Sequence, residues 1–392
     1  MSKLSKLVYN KPFVFTLYFG LSLFAVVKSV IVNHIHNNYF VYKYNFINVI
    51  HQHTIFGYQK QFQDLNHYGP VFALLMAPFA LLPDGLGVIL WVMFNAWVLY
   101  LAIKLLPLKD NQYVIILLIC AHELMTSSSN VEINPLIGAL IILSFVFIRD
   151  KKDFWAAFVI VLGTFIKLYG IVGLAFFFLS KDKLKFILSL LFWSVIVFVL
   201  PMLISSPSYI VQTYHDWYGD LLTKNLNNMG GPSLQDISLM GLIRNIFNYR
   251  QLSNITVLVP GLLLFAVWYI RFKFYEVVPY QLLLLASTLI FVIIFSSSSE
   301  SPTYIIAVAG VGIWFMNLER PVTWFEISLL AFAIIITVFS PSDLFPKYIR
   351  VNYVIPYKLK ALPCVLIWFK IIYEIVTRKF EKGKEYVSER VA

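Results

Sequence analysis

Apolar runs separated by short polar stretches follow one another along nearly the whole chain. Runs that approach about 20 residues are typical of helices that cross a membrane. The pattern predicts spans at roughly residues 12–32, 85–105, 112–125, 134–148, 185–204, 254–270, 278–295, 303–316, 322–340 and 361–377. We therefore expect an all-α polytopic membrane protein, a single domain over residues 1–392 with about twelve helical segments and with outer-face loops that carry interfacial helices.

Two further apolar segments are too short to be ordinary spans. Residues 154–180 have basic residues at both ends, so both ends are expected on the same side of the membrane. We predict a short helical hairpin whose bend near Lys167 lies inside the helix bundle, because a bend in the membrane needs polar partners for its backbone. Residues 70–82 are predicted to form a helix in the outer leaflet.

Composition supports the membrane prediction, and charge gives it an orientation. Hydrophobic residues make up 59% of the 392 residues and charged residues only 13%, well below the share in soluble domains. Basic residues form short clusters between the apolar runs, for example at 149–153, and such clusters mark cytoplasmic loops. Both termini, including the basic tail 378–392, are therefore expected in the cytoplasm, and the long polar loops 33–69 and 205–253 outside. The expected location is the cell membrane, as a multi-pass protein of a bacterial inner membrane.

Several classes of protein and site are not expected. The net charge of +11 is not gathered in a separate basic domain, so nucleic-acid binding is not predicted. The two cysteines, Cys120 and Cys364, lie in or beside spans, as packed free thiols do. The sequence has no zinc pattern, Walker loop or dinucleotide fingerprint, so neither a metal nor a cofactor is predicted.

Ionisable residues gather on the predicted outer side. Glu132 and Glu300 lie in short loops near the membrane, where ionisable groups usually face a cavity, and a paired structural role is the alternative. Asp64 and His67 have the spacing of one helical turn, and Asp64 is a candidate proton acceptor. Three other acidic residues fit simple solvation of long loops: Asp216, Asp220 and Asp343.

The outer loop 33–69 contains a helical pattern of aromatic and aliphatic residues. The residues that recur at helical spacing are Phe40, Tyr44, Ile47 and Ile50. The pattern predicts an amphipathic helix for a membrane interface, with an ordinary packed loop as the alternative.

Four stretches together resemble one protein family. The segment HYGPVFALLMAPFALLP at 67–83 resembles the Tyr-Pro-Pro-Leu-Phe-Ala-Leu-Leu-Leu-Ala-Pro-Leu-Ala-Leu-Leu-Pro block of glycosyltransferase family 87. NVEINPLIGALIIL resembles the Gln-x-Asn motif before a span, with Glu132 in the Gln place and Asn134 retained. GTFIKLYGI resembles the Leu-Lys-Pro block and retains Lys167, and SLQDISLMGLI loosely resembles an Asn-Gln-Ser-Leu segment. The order and spacing of these stretches hold over roughly residues 10–320.

The resemblance implies a C-type glycosyltransferase fold, since the family includes polyprenyl-phosphate-mannose-dependent α-mannosyltransferases. It implies a polyprenyl-phosphate-sugar donor, an outer-face glycan or glycolipid acceptor, and contact with membrane lipids. A carboxylate takes the proton of the acceptor hydroxyl, which attacks the anomeric carbon, and polyprenyl phosphate leaves with inversion. The residues expected to bind substrate are His67, Asn134, Lys167, Gln235, Tyr304, Lys347 and Arg350.

The sequence departs from the family at the expected base. The family usually carries an Asp just after the first span, where this chain reads HIHNNYF, with Asn37 and Asn38. An amide cannot act as a base, so the predicted catalytic carboxylates are Asp64, Glu132 and Glu300.

Several alternatives stay open at this point. Glu300 precedes a Ser-Pro pair, so capping of the following helix is the alternative to a catalytic role. Arg244 is either a contact for the donor phosphate or a snorkelling surface arginine. Four basic residues crowd one outer loop and suit either an anionic lipid head group or simple solvation: Lys347, Arg350, Lys358 and Lys360. For the whole chain, the alternatives are a lipid-linked-sugar flippase, a polysaccharide polymerase and a non-catalytic family member.

Overall fold

The computed structural model describes residues 8–32, 35–62, 64–109, 111–228 and 235–380, and this part of the chain is helical apart from one isolated β-bridge. Its α-helices, numbered in chain order, are α1 Lys11–Val32, α2 Asn37–Ile50, α3 Val71–Ala80, α4 Asp84–Lys104, α5 Gln112–Ser129, α6 Asn134–Arg149, α7 Asp153–Ile166, α8 Lys183–Val199, α9 Pro207–Asn228, α10 Leu239–Ile246, α11 Asn254–Ile270, α12 Val278–Ile294, α13 Ile305–Met316, α14 Trp324–Phe332, α15 Lys347–Ile349 and α16 Leu362–Thr377. Shorter 3-10 and π segments join them, among them Leu168–Leu179, Ser301–Tyr304 and Leu359–Ala361. The predicted all-α class is confirmed for these residues.

Three helices in the described ranges are long and apolar enough to cross a membrane. They are α1, α4 and the continuous helix Lys183–Leu203, which consists of α8 and its 3-10 extension. The other apolar helices are shorter, with 10–17 residues. Because the predicted spans closely follow the observed helix bounds, the hydropathy pattern located the helices correctly.

The chain divides into two compact units. Unit 1 contains the described residues of Met1–Leu21, Ile103–Thr126 and Asn228–Ala392. Unit 2 contains those of Ser22–Ala102 and Ser127–Asn227. The single domain expected from the sequence stays a prediction.

The core of unit 1 is built on α12 and α13, whose side chains are nearly all buried. A Cβ on Gly310 in α13 would lie 2.9 Å from the carbonyl oxygen of Ala286 in α12, so glycine permits the close approach of these helices. The helix α16 packs against α12, and Trp368 Nε1 donates to Ser287 Oγ at 2.9 Å. The apolar core of unit 1 therefore includes a polar contact between α16 and α12.

The hairpin predicted around Lys167 forms part of unit 2. Lys167 has an extended backbone (φ −149°, ψ 123°) that ends α7, and the 3-10 segment Leu168–Leu179 folds back on that helix. A Cβ on Gly170 would lie 2.3 Å from the backbone carbon of Gly163, so these glycines let the two arms touch. The hairpin and the position of its bend are confirmed, with a 3-10 helix as the second arm.

The predicted helix in 33–69 is confirmed as α2, and its contact with a membrane interface stays a prediction. The buried aromatic and aliphatic residues are Tyr39, Val41, Tyr42, Phe46 and Val49. The predicted stripe is half-buried or exposed and consists of Phe40, Tyr44, Ile47 and Ile50. Aromatic residues occur on both faces of α2, so helical spacing alone does not select the face that packs.

The polar stretch 205–253, predicted as a long loop, is largely helical. It contains α9 and α10, and residues 229–234 between them lie outside the described residues. Pro207 begins α9, where proline fits the first helical turn. Ile210, Thr213 and Trp217 on one face of α9 are buried, so this helix packs onto unit 2.

Candidate active site

A series of hydrogen bonds in unit 2 begins at Glu132, in the short stretch between α5 and α6. Asn38 Nδ2 donates to Glu132 Oε1 at 3.0 Å, and Asn134 Nδ2 donates to Glu132 Oε2 at 3.0 Å. Each carboxylate oxygen therefore accepts one amide hydrogen bond. Hydrogen bonds to an ionised acceptor are strong, so the two amides hold the carboxylate in one orientation.

Lys167 extends this series. Its Nζ donates to Asn134 Oδ1 at 2.8 Å. Asn134 is completely buried, whereas Glu132 and Lys167 are half-buried. An amide has both a donor and an acceptor, so Asn134 bridges an acidic and a basic side chain. The structure thus brings together three of the residues that the sequence predicted for the site.

Local structure explains why these side chains meet. Val131 has a left-handed backbone (φ 54°), and the Glu132 N–H donates to the carbonyl oxygen of Ser127 at 3.0 Å. This tight turn places Glu132 directly before α6, which starts at Asn134 with Pro135 in its first turn. Lys167 reaches Asn134 because the chain turns back at the end of α7.

Asn38, near the start of α2, has a role that sequence alone did not show. Its Nδ2 contacts the carbonyl oxygen of Asn130 at 2.9 Å as well as Glu132. In the sequence, Asn37 and Asn38 marked only the loss of the base that the family usually carries. An aspartate at position 38 would place a second negative charge against Glu132, so the amide here and the carboxylate at 132 are complementary.

Two tyrosines connect this region to the loop before α3. The hydroxyl oxygens of Tyr42 and Tyr68 lie 3.2 Å apart, and the rings meet edge to face. Tyr42 also lies close enough to Glu132 for the charge of that carboxylate to act on its hydroxyl. Burial raises the pKa of Tyr42, so its hydroxyl stays protonated and remains able to donate.

His67, in the same loop, pairs with an acidic residue of α9. His67 Nδ1 lies 2.7 Å from Asp220 Oδ2. The interpretation of Asp220 as a solvated loop residue is therefore wrong, since its side chain is only 13% exposed. The expected helical turn that would align His67 with Asp64 does not form, because residues 64–69 are not helical.

Asp64 lies on the surface of unit 2. Its Oδ1 accepts the backbone N–H of Leu65 at 2.8 Å, and its Oδ2 is 3.4 Å from Asn37 Nδ2. The side chain is exposed. The first contact is with the next residue and the second is long and exposed, so they give its predicted catalytic role less support than Glu132 receives.

Glu300 and Tyr304 lie in unit 1. Glu300 is the N-cap residue of Ser301–Tyr304, and its backbone N–H donates to Thr303 Oγ1 at 3.2 Å in a capping box. These contacts support the capping alternative for Glu300. Tyr304 is completely buried, and its hydroxyl donates to the carbonyl oxygen of Ile237 at 2.8 Å. Packing and this hydrogen bond explain its position without a contact to substrate.

The other predicted substrate contacts in unit 1 have three different environments, and they are Gln235, Lys347 and Arg350. Gln235 is half-buried and precedes Asp236, whose backbone N–H donates to the carbonyl oxygen of Ser297 at 3.1 Å. Lys347 is exposed in α15, and Arg350 hydrogen-bonds within its own loop. Their roles in substrate binding stay predictions.

Two interpretations of basic residues are corrected by burial within unit 1. Arg244 is not a snorkelling surface residue, since it is 5% exposed and its Nη1 donates to Asp236 Oδ2 at 2.6 Å. Lys360 is not part of a surface cluster, because its buried Nζ donates to Glu123 Oε1 at 2.7 Å and to Ser301 Oγ at 2.9 Å. Buried charges need such partners, and here the partner of Lys360 is far away in the sequence.

The described residues thus contain apolar helices long enough to cross a membrane. They also contain a hydrogen-bonded series of acidic, amide and basic side chains, and the two features together are typical of a helical membrane protein with a polar site. The model of glycosyltransferase family 87 matches residues 66–299. The chain therefore belongs to glycosyltransferase family 87, and the resemblance drawn from its motifs is confirmed. Membership implies glycosyltransferase activity, with a sugar donor and an acceptor. No curated protein matches the chain.

Proposed function

We propose that the chain is a membrane glycosyltransferase of the C-type fold that transfers a hexose from a polyprenyl-phosphate donor. Mannose is the proposed sugar, and the proposed acceptor is a glycan or glycolipid at the outer face of the cell membrane. The observation that carries the proposal is the series Glu132–Asn134–Lys167, which lies inside the residues matched by the family. A carboxylate for the acceptor and a cation for the donor phosphate are the two charges that this transfer requires.

Lys167 is the proposed partner of the donor phosphate. The leaving phosphate gains negative charge as its bond to the sugar breaks, and a fixed positive charge stabilises that state. Lys167 Nζ is held by Asn134, and it lies 5.0 Å from the centroid of the Tyr169 ring. Both contacts fix the ammonium before the donor binds, which lowers the cost of orienting it during the reaction.

Glu132 is the proposed carboxylate near the reacting hydroxyl. It accepts a hydrogen bond from a hydroxyl beside the reacting one and so orients the acceptor toward the anomeric carbon, which is then substituted with inversion. Asp64 and Glu300, the other predicted carboxylates, contact mainly their own loops. Glu132 instead shares one hydrogen-bonded series with Lys167, and this supports it over the other two.

A transfer assay tests the proposal. Purified protein in lipid nanodiscs, given one polyprenyl-phosphate sugar at a time and a panel of glycolipid acceptors, should release polyprenyl phosphate and form a new glycoside. Glu132→Gln should lower turnover about tenfold or more at saturating donor and acceptor, because it removes the charge and keeps the shape. Asp64→Asn and Glu300→Gln are the matched controls, and we expect each to stay within about threefold of the wild type.

The alternatives give different results in the same preparation. A flippase would move the lipid-linked sugar between leaflets of proteoliposomes without forming a glycoside, and a polymerase would lengthen a lipid-linked glycan. Folded protein that forms no glycoside with any donor would contradict the proposal and favour a non-catalytic family member.

The proposed outer-face site also predicts the orientation of the chain. Lys60 and Lys151 are both exposed in unit 2, and the charge pattern puts the first outside and the second in the cytoplasm. In intact cells, an impermeant maleimide should label Lys60→Cys and not Lys151→Cys, and permeabilised cells should show both. The natural thiols of Cys120 and Cys364 are buried, so background labelling should be low. Labelling of only Lys151→Cys in intact cells would reverse the orientation.

A further inference from the structure

The pair of His67 and Asp220 lies outside the series that connects Glu132 with Lys167. His67 Nδ1 is 2.7 Å from Asp220 Oδ2, and the two side chains are 22% and 13% exposed. A carboxylate at this distance favours the tautomer with its proton on Nδ1, so that Nε2 is the proton acceptor. The pair is therefore an imidazole oriented by a carboxylate and still partly open to solvent.

The backbone that carries His67 is fixed by several side chains. Trp217 Nε1, in α9 beside Asp220, donates to the carbonyl oxygen of His67 at 3.0 Å. Asn66 is buried, and its side chain bonds to both the N–H and the carbonyl oxygen of Tyr68, at 3.2 Å each. The residue before His67, the residue after it and the helix opposite thus all restrain its position.

Gly69 brings the same loop into close contact with its neighbours. A Cβ at this position would lie 2.7 Å from the carbonyl oxygen of Phe165 and 3.1 Å from the ring of Trp217. Any larger residue would push the loop away from α7 and α9. A general base depends on such fixed geometry, because small displacements lower the rate of proton transfer strongly.

A second His–Asp pair on α9 gives a direct comparison. His215 Nδ1 lies 3.8 Å from Asp216 Oδ1, and the two side chains are 82% and 46% exposed. Neighbouring exposed residues of this kind form a weak surface pair. The His67–Asp220 pair is shorter and less exposed than the His215–Asp216 pair, so its imidazole is held in one orientation. His215 therefore serves as the matched control for His67.

His67 is also connected to the candidate active site. Its neighbour Tyr68 has its hydroxyl oxygen 3.2 Å from that of Tyr42. Tyr42 lies near Glu132, and burial first and the charge of this carboxylate second raise the pKa of the Tyr42 hydroxyl. The oriented imidazole therefore directly precedes, and the Glu132 carboxylate acts on, the hydrogen-bonded pair of Tyr68 and Tyr42 in unit 2.

We infer that His67 is the general base of the transfer reaction and that Asp220 positions it, an inference that rests on the proposed function. His67 Nε2 takes the proton of the acceptor hydroxyl while the hydroxyl oxygen bonds to the anomeric carbon of the donor. The bond from that carbon to the phosphate oxygen breaks, and its electron pair leaves with polyprenyl phosphate. Asp220 stabilises the resulting imidazolium, as the carboxylate of a catalytic triad does. This chain, with Asn37 and Asn38 after its first span, then takes its base from position 67.

Removal of the imidazole gives the central test. His67→Ala should lower kcat by about 10²–10⁴-fold, with KM for the donor changed by less than about threefold. Imidazole added to the assay should restore part of the rate of this variant, because a free base can take the proton in its place. Asp220→Asn should lower kcat without rescue by imidazole, because the ring of His67 is still present but is no longer charge-stabilised. His215→Ala should match the wild type, with or without imidazole.

The possible results separate a chemical role from a structural one. Full activity of folded His67→Ala would overturn this inference and leave the proposed function intact. If His67→Ala does not fold, His67→Gln keeps a polar side chain of similar reach, and a folded, active His67→Gln would overturn the inference as well. Folded and inactive His67→Gln would support it. A wild type that transfers no sugar from any donor would overturn the proposed function, and this inference with it.

Discussion

Replacement of Lys167 by methionine is expected to lower kcat for sugar transfer by about 10²–10³-fold. Methionine is unbranched and fills similar space, but it removes the ammonium and its 2.8 Å hydrogen bond to Asn134. The charge on the leaving phosphate grows as its bond to the sugar breaks, so the lost interaction is stronger in the transition state than with bound donor. The rate should therefore fall more than the affinity for the donor.

The rate of polyprenyl phosphate release at saturating donor measures this effect. Lys151→Met, at an exposed lysine of the same unit, is the matched control and should keep the wild-type rate. Lys167→Arg keeps the charge in a different geometry, so it should retain more activity than Lys167→Met. Wild-type kcat in folded Lys167→Met would contradict a role at the phosphate.

Much of the helical arrangement could be predicted from the sequence, because burial and the membrane both set the length of apolar runs. The bend at Lys167 followed from two observations, basic residues at both ends and too few residues for two crossings. The sequence placed the stretch 205–253 at the outer face but did not locate its helices, because many polar residues occur in it. A stripe at spacings of three and four was present there, and it consists of Ile210, Thr213, Trp217 and Asp220.

The candidate site was predictable only where motifs marked it. Glu132, Asn134 and Lys167 stood in family-like segments, and they do meet in unit 2. His67 and Asp220 are 153 residues apart, and no local pattern in a single sequence pairs residues at such a distance. Their contact depends on how α9 packs onto the loop before α3, which is a tertiary property.

Buried ion pairs were also missed, including Arg244–Asp236, whose partners are only eight residues apart, and this pair predicts a large effect on stability. Arg244 Nη1 donates to Asp236 Oδ2 at 2.6 Å, and its Nη2 donates to Asn254 Oδ1 at 2.6 Å and to the carbonyl oxygen of Leu252 at 2.7 Å. Ser238 Oγ donates to the other oxygen of Asp236 at 2.6 Å. Arg244 and Asp236 are 5% and 8% exposed, so water cannot replace the guanidinium if it is removed.

Arg244→Met is therefore expected to lower the free energy of unfolding by about 3–5 kcal/mol, because it leaves the Asp236 carboxylate buried without its hydrogen-bonded counter-charge and with Lys358 as the remaining positive charge that acts on it. The loss should depend on pH in a defined direction. Burial raises the pKa of Asp236, while the Arg244 guanidinium acts to lower it, so the substitution raises this pKa further. A carboxyl whose pKa is raised in the folded state favours folding while it is protonated, and that contribution is lost as the pH rises through the folded-state pKa. The stability deficit of Arg244→Met should thus be smallest at acid pH and should grow as the pH rises.

Unfolding curves of the purified protein in detergent, followed by tryptophan fluorescence at a series of pH values, measure this deficit. Arg250→Met is the matched control, since Arg250 is exposed a short distance along the chain and should change stability by less than about 0.5 kcal/mol. The double variant Arg244→Met/Asp236→Asn removes the unpaired charge, so it should regain part of the stability and lose the pH dependence. A deficit that is independent of pH, or that Asp236→Asn does not relieve, would show that the cost comes from lost packing of the arginine stem rather than from a buried unpaired carboxylate.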